Sequence, residues 1–163
     1  MVEIIQELNR AFNALNERYF QGKLPKAVIT VQTHNKVICN GWFWENKWSD
    51  QDGNTYHELN ISAEFLNRSV LSLMTTLQHS MIHIYCYENG IKDTSRNGRY
   101  HNYNFKQEAE RRGLLITKDE VEGWSISEPS IDFEAFVHHM NIKDAFNLNR
   151  NTDPKTTPII SKD

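Results

Sequence analysis

Ile4, Ile5, Leu8, Phe12, Leu15, Tyr19 and Phe20 recur at helical spacing with Glu, Gln, Asn and Arg between them. That pattern predicts an amphipathic helix over residues 3–20, closed by Gly22 and Pro25. Ala27 to Gln32 then reads as a strand. Val37 to Trp44 reads as a second, with a bend at Asn40-Gly41. Asp50 to Asn54 is a turn, and Thr55 to Ile61 a third strand. Three strands in short succession predict an antiparallel meander.

The pattern then changes. Ser62 is placed to cap a turn containing Phe65. From Ser69 the apolar positions Val70, Leu71, Leu73, Met74, Leu77, Met81, Ile82, Ile84 and Tyr85 run almost all round a helix. A helix of that kind is buried on most sides. Asn89-Gly90 stops it. A polar loop, Lys92 to Arg99, leads to a helix expected to start near His101 and to run through Phe105 and Ala109 to Gly113. Leu114–Ile116 and Trp124–Ile126 predict a hairpin, and Pro129-Ser130 caps a short helix bearing Phe133, Phe136, Val137 and Met140. From residue 147 the chain is polar, carries Pro154 and Pro158, and is expected to be a disordered tail.

Composition narrows the class. At 163 residues, 39% hydrophobic and 24% charged, the chain is expected to form one domain with a real core. A net charge of −3 gives no global basic field, so contact with DNA would need a local patch. Cys39 and Cys86 form no CxxC pair, which excludes a cysteine-rich zinc ribbon and leaves two buried thiols in a reducing compartment. Met1-Val2-Glu3 opens straight into the first helix, without a signal segment, and no apolar run is long enough to span a bilayer. The expected location is the cytoplasm, with no membrane partner.

The chemistry lies in Leu77-Gln78-His79-Ser80-Met81-Ile82-His83, with His101 following in Gly98-Arg99-Tyr100-His101-Asn102-Tyr103-Asn104-Phe105. Two His at i and i+4 share a helix face and can reach one metal ion. Three neutral imidazoles leave a fourth position open, as hydrolytic zinc sites require. In a chain with seven His such a pair can also arise by chance, as hydrogen-bonded core residues. Three contexts favour ligation. The pair sits in the most hydrophobic helix, where unpaired imidazoles are costly. A glycine stop lets the chain turn back. A further His follows a Gly-containing loop, with Phe105 placed to anchor its segment. Where a metallopeptidase helix has a glutamate, this one has Ser80.

The region from about Leu8 to Leu114 resembles the SprT-like (Spartan-type) metallopeptidase domain. The shared features are a first helix with Leu8-Asn9 and Tyr19-Phe20, a short run of strands, and the His-x-x-x-His helix. They continue with Gly98-x-x-His101-x-x-x-Phe105 and the run Ala109-Glu110-Arg111-Arg112-Gly113-Leu114. The resemblance implies that His79, His83 and His101 bind Zn²⁺ and that Ser80 holds the place of the catalytic glutamate. It also implies a zinc-dependent protease; the best-known members degrade proteins crosslinked to DNA, many with a zinc ribbon or a DNA-binding tail. No such element is visible here.

Serine at that position is chemically serious. Its oxygen sits two carbons short of a glutamate carboxylate and is too weak an acid to serve as a base near neutrality. Losing a positioned general base costs about 10²–10⁴-fold in rate. The serine fits either a natural loss of the base or an introduced substitution. Among neighbouring groups, Asp93 is a candidate to orient a ligand imidazole, and Tyr100 and Tyr103 are candidates to donate to an oxyanion. Glu108 reads as solvated or as an ion-pair partner. Arg96, Arg99, Lys106, Arg111 and Arg112 form either a solvated face or a weak DNA contact. Trp42, Phe43, Trp44 and Trp48 are edge-covering aromatics or a strand that pairs with an extended peptide.

Together these readings give an α+β, zincin-like single domain: a small antiparallel or mixed sheet packed on a buried metal-binding helix. Residues 1–114 form the SprT-like part, 115–146 a hairpin and short helix packed on it, and 147–163 the tail. The expected function is that of a zinc metalloprotease scaffold acting on protein or peptide, inactive or strongly impaired. The alternatives are a zinc-bearing module that binds peptides without cutting them, and a purely structural metal clip.

Overall fold

The computed structural model describes residues 1–34, 39–143 and 146–151. The first helix, α1, spans Val2–Phe20 and buries Ile4, Leu8, Ala11, Phe12, Leu15 and Phe20. Gln21 adopts a left-handed conformation just past its end, and Asn16 then clamps the turn, bonding Leu24 through both its amide nitrogen and its oxygen. Strands β1 (Val28–Gln32), β2 (Gly41–Ser49) and β3 (Thr55–Ser62) form one sheet in the order β1-β3-β2.

That order corrects the expected meander. β3 runs parallel to β1 and antiparallel to β2, so β3 is the central strand and β2 lies at an edge. The physical reason lies in β3 itself: residues 57–62 are all buried, which requires a neighbour on each side and cover on both faces. A strict in-out alternation would have marked a strand with one face in solvent, and β3 has none. The second strand also lies later than its hydrophobic pattern suggested, and Val37 and Ile38 fall outside the described residues. Its irregularity sits between Trp44 and Trp48 rather than at Asn40-Gly41. There Asn46 has a positive φ and turns its N–H to His57 Nδ1 instead of into the ladder. Gly41 serves a different purpose: a Cβ there would stand 2.3 Å from the Asn60 carbonyl oxygen.

A 3-10 turn, Ala63–Phe65, precedes α2 (Val70–Glu88), whose N-cap Ser69 accepts a hydrogen bond from the Ser72 N–H. The cap stops the first turn from fraying. α2 touches both sheets and all three other described helices. That explains its nearly unbroken apolar surface: Leu73, Met74, Leu77, Met81, Ile82, Ile84 and Cys86 are all buried.

The second sheet contains β4 (Thr94–Ser95), β5 (Tyr100–His101), β6 (Leu114–Asp119) and β7 (Gly123–Pro129), ordered β4-β5-β7-β6. It too is mixed, because β5 and β7 are parallel. The sequence pattern pointed to one sheet; the two-residue strands β4 and β5 are too short to show a period. In sequence, α3 (Tyr103–Glu110) lies between β5 and β6, and α4 (Ile131–Met140) follows β7. Arg10 on α1 donates to the Met140 and Asn141 carbonyls, tying the ends of the fold together. Phe146 is buried, and the Arg150 N–H donates to the Ala63 carbonyl. The remainder of the expected tail, 152–163, lies outside the described residues. Cys39 and Cys86 are buried thiols, not bonded to one another. No helix among the described residues is long and apolar enough to cross a membrane.

Candidate metal centre

His79 and His83 lie one turn apart on the same face of α2, and both rings point at His101. The three Nε2 atoms stand in a near-equilateral triangle: 3.2 Å between His79 and His83, 3.2 Å between His79 and His101, and 3.1 Å between His83 and His101. Tetrahedral zinc with nitrogens at about 2.0–2.1 Å separates them by about 3.3 Å, so the spacing fits a small divalent cation. Among the described residues this is the cluster of His, Cys, Asp or Glu able to hold a metal ion.

The opposite nitrogens of His79 and His83 are held by hydrogen bonds. His83 Nδ1 donates to Asp93 Oδ2 at 2.6 Å, which leaves its Nε2 lone pair facing the centre. His79 Nδ1 lies 2.8 Å from Ser127 Oγ. Phe105 packs on all three imidazoles, with ring centroids at 4.7, 4.7 and 4.8 Å, and Phe43 stacks nearly parallel to His83. This apolar jacket lowers the pKa of the rings it encloses. Burial, then the neighbouring His83 and His101, push His79 well below the ordinary imidazole range. Burial and His83 push His101 down to about 3, against an opposing pull from its backbone bond to Glu122 and from Asp93. Both rings are therefore neutral near pH 7, the protonation state that metal ligation needs.

The helix expected to start near His101 does begin close by, at Tyr103, while His101 itself lies in the short strand β5. It pairs with Thr94 of β4 and Gly123 of β7, and its N–H donates to the Glu122 carbonyl. α3 begins two residues later, where the Asn102 side chain accepts from the Asn104 and Phe105 N–H groups. The cap ends the strand and starts the helix in one step. It also directs Phe105 under the imidazoles. Asp93 joins the two parts: its carboxylate holds His83, while its carbonyl accepts the Asn102 N–H.

Other candidates fall differently. Ser80 is buried in α2, next to His79. Tyr100 lies under the Arg96 guanidinium, and Tyr103 is exposed against Trp124 and Lys106. Glu108 is a buried ion-pair partner of Arg111 and Arg112 at 2.7 Å each, rather than a solvated group. Lys106 pairs with Glu110. Three of the five basic residues near His101 are thus held by carboxylates. Trp42 and Trp48 both donate their indole N–H to Glu58. Sequence reasoning missed Ser127, and it named Phe43 as an edge aromatic or part of a peptide-pairing strand without placing it against His83. Alternation along β7 places Ser125 and Ser127 on one face, but nothing in that pattern says the face looks toward His79.

Two small mixed sheets clasping a buried helix, with three imidazoles converging from helix and strand, define an α+β domain built to hold a metal ion. Residues 8–121 match the SprT-like family, and the chain belongs to that family. Comparison with curated proteins gives no match, and comparison with solved structures gives none either.

Proposed function

We propose that this chain is a zinc-dependent metalloprotease scaffold of SprT-like type, acting on peptide bonds of protein substrates and strongly impaired by serine at position 80. The observation that carries the reading is the convergence of the His79, His83 and His101 Nε2 atoms to within 3.1–3.2 Å of one another. Zinc held there would supply a Lewis acid to polarise the scissile carbonyl and acidify a water molecule.

The chain's own residues supply positioning. Asp93 fixes the tautomer and aim of His83, Ser127 restrains His79, and the strand pairing of β5 sets His101. What is missing is the proton acceptor. A hydroxyl on the β-carbon of residue 80 neither reaches as far as a glutamate carboxylate nor ionises near neutrality. The neighbouring acids are committed elsewhere, Asp93 to His83 and Glu108 to two arginines. A non-catalytic zinc-bearing module that binds peptides is the second reading, favoured by the same pairing of an intact triad with a serine.

Ser80→Glu separates the two. The protease reading expects cleavage of an unfolded protein about 10²–10⁴-fold faster than with Ser80, abolished by a chelator. A zinc-loaded, folded Ser80→Glu variant that cuts nothing leaves the binding module.

A further inference from the structure

A cleft of about 290 Å³ opens beside His79, walled by the first turns of α2 and by β7. Its donors are unusually rich in unfilled capacity. Arg68 uses Nε on the Phe65 carbonyl and Nη1 on Thr76 Oγ1 at 2.9 Å. Its Nη2 is buried with no partner among the described residues, and so is the hydroxyl of Ser125 on the facing strand. Ser125 is fully buried. Buried polar atoms are nearly always bonded in folded proteins, so two orphans facing one cavity point to a ligand.

Its charge identifies the ligand class. No carboxylate among the described residues pairs with the Arg68 guanidinium, and burial alone pulls its pKa down to about 10. The cleft also receives the N-terminal turn of a 19-residue helix, whose dipole and unpaired N–H groups favour negative charge. The carboxylate of Glu128 lines the cleft too, but on an exposed residue at its mouth.

We propose that this cleft is an oxyanion subsite, taking the carboxylate of an acidic side chain or a phosphoryl group on the protein bound at the metal centre. His79 is the shared wall. Its Nε2 belongs to the triad, while its Nδ1 is bonded to Ser127, which lines the cleft. A chain crossing the triad passes within one ring's width of the cleft. The identity of that bound chain rests on the protease or peptide-binding reading above; anion binding itself does not.

Calorimetric titration of the zinc-loaded protein with three probes tests this: N-acetylglutamate amide, its glutamine counterpart, and inorganic phosphate. The zinc content of every sample is measured, and the titrations are repeated after chelation and dialysis to separate anions in the cleft from anions on the metal. The glutamate probe should bind at least about tenfold more tightly than the glutamine probe, and Arg68→Gln should erase that preference, since charge-assisted bonds are the strong ones. Glu128→Gln, at an exposed position, should tighten anion binding. Phosphate outcompeting the glutamate probe assigns a phosphorylated residue; the reverse order assigns an acidic one. Equal affinity for the glutamate and glutamine probes with no phosphate binding overturns the proposal. So does anion affinity indifferent to both substitutions in folded variants. Protein that takes up no zinc yet keeps Arg68-dependent binding retains the subsite and removes the protease reading.

Discussion

The Cβ that Gly123 lacks would stand 2.3 Å from the carbonyl oxygen of His101. The third imidazole is therefore seated by a glycine twenty-two residues downstream, on the neighbouring parallel strand. Gly123 also has a φ of +71°, which L side chains adopt only with strain. Gly123→Ala should push β5 away from β7 and weaken zinc binding by at least about tenfold, in the range seen when a ligand's support is lost. Competition against a chromophoric chelator measures this. Unchanged affinity in the folded variant would show that His101 is held by other means.

Asp93→Asn keeps the size of the side chain but removes the charge that His83 Nδ1–H donates to. Metal affinity should fall about 10–100-fold with the secondary structure intact. Because the Asp93 carbonyl still accepts the Asn102 N–H, the strand beside it should stay in place. Equal zinc affinity in mutant and parent would refute the orienting role.

Protons should unfold the metal-free protein earlier than carboxylate titration alone explains. His79 and His101 have lowered pKa values when folded and about 6.5 when unfolded. Below about pH 6.5 the unfolded chain takes up protons that the folded chain refuses, so stability is complete above that pH and falls as pH drops toward about 3 for His101. The slope is about 1.4 kcal/mol per pH unit for each such proton. Urea midpoints of zinc-free protein between pH 7.5 and 5 give the answer, and a flat profile contradicts it.

Glu58→Gln tests the aromatic edge. Trp42 and Trp48 both donate to this buried carboxylate, at 2.9 and 2.7 Å. An amide offers one acceptor oxygen, so one indole N–H loses its bond. Stability should drop by about 1–2 kcal/mol, read from denaturant unfolding followed by tryptophan fluorescence. A variant as stable as the parent would show that these rings are held by packing alone.

The helices and the ligand spacing were legible because their signals are local. α1 follows from 3.6-residue periodicity, α2 from a long apolar run between Ser69 and Asn89-Gly90, and His79 with His83 from an i, i+4 step on that most apolar helix. What escaped was set by partners far away in sequence. The order β1-β3-β2 depends on β3 being covered on both faces, which no alternation records. β5 is two residues long and exists only because Thr94 and Gly123 flank His101. Ser127 and Arg68 carry no motif; their roles come from where β7 and the start of α2 meet.

The positions of the three imidazoles carry a last consequence. Two belong to the helix beneath the first sheet, and the third belongs to the second sheet, made wholly of chain that follows that helix. A cation in their midst is a crosslink between the halves of the domain. Stripping it should loosen residues 91–129 first, exposing them to proteolytic nicking while α1 and the first sheet stay protected. The ion would then govern how much of this protein is folded.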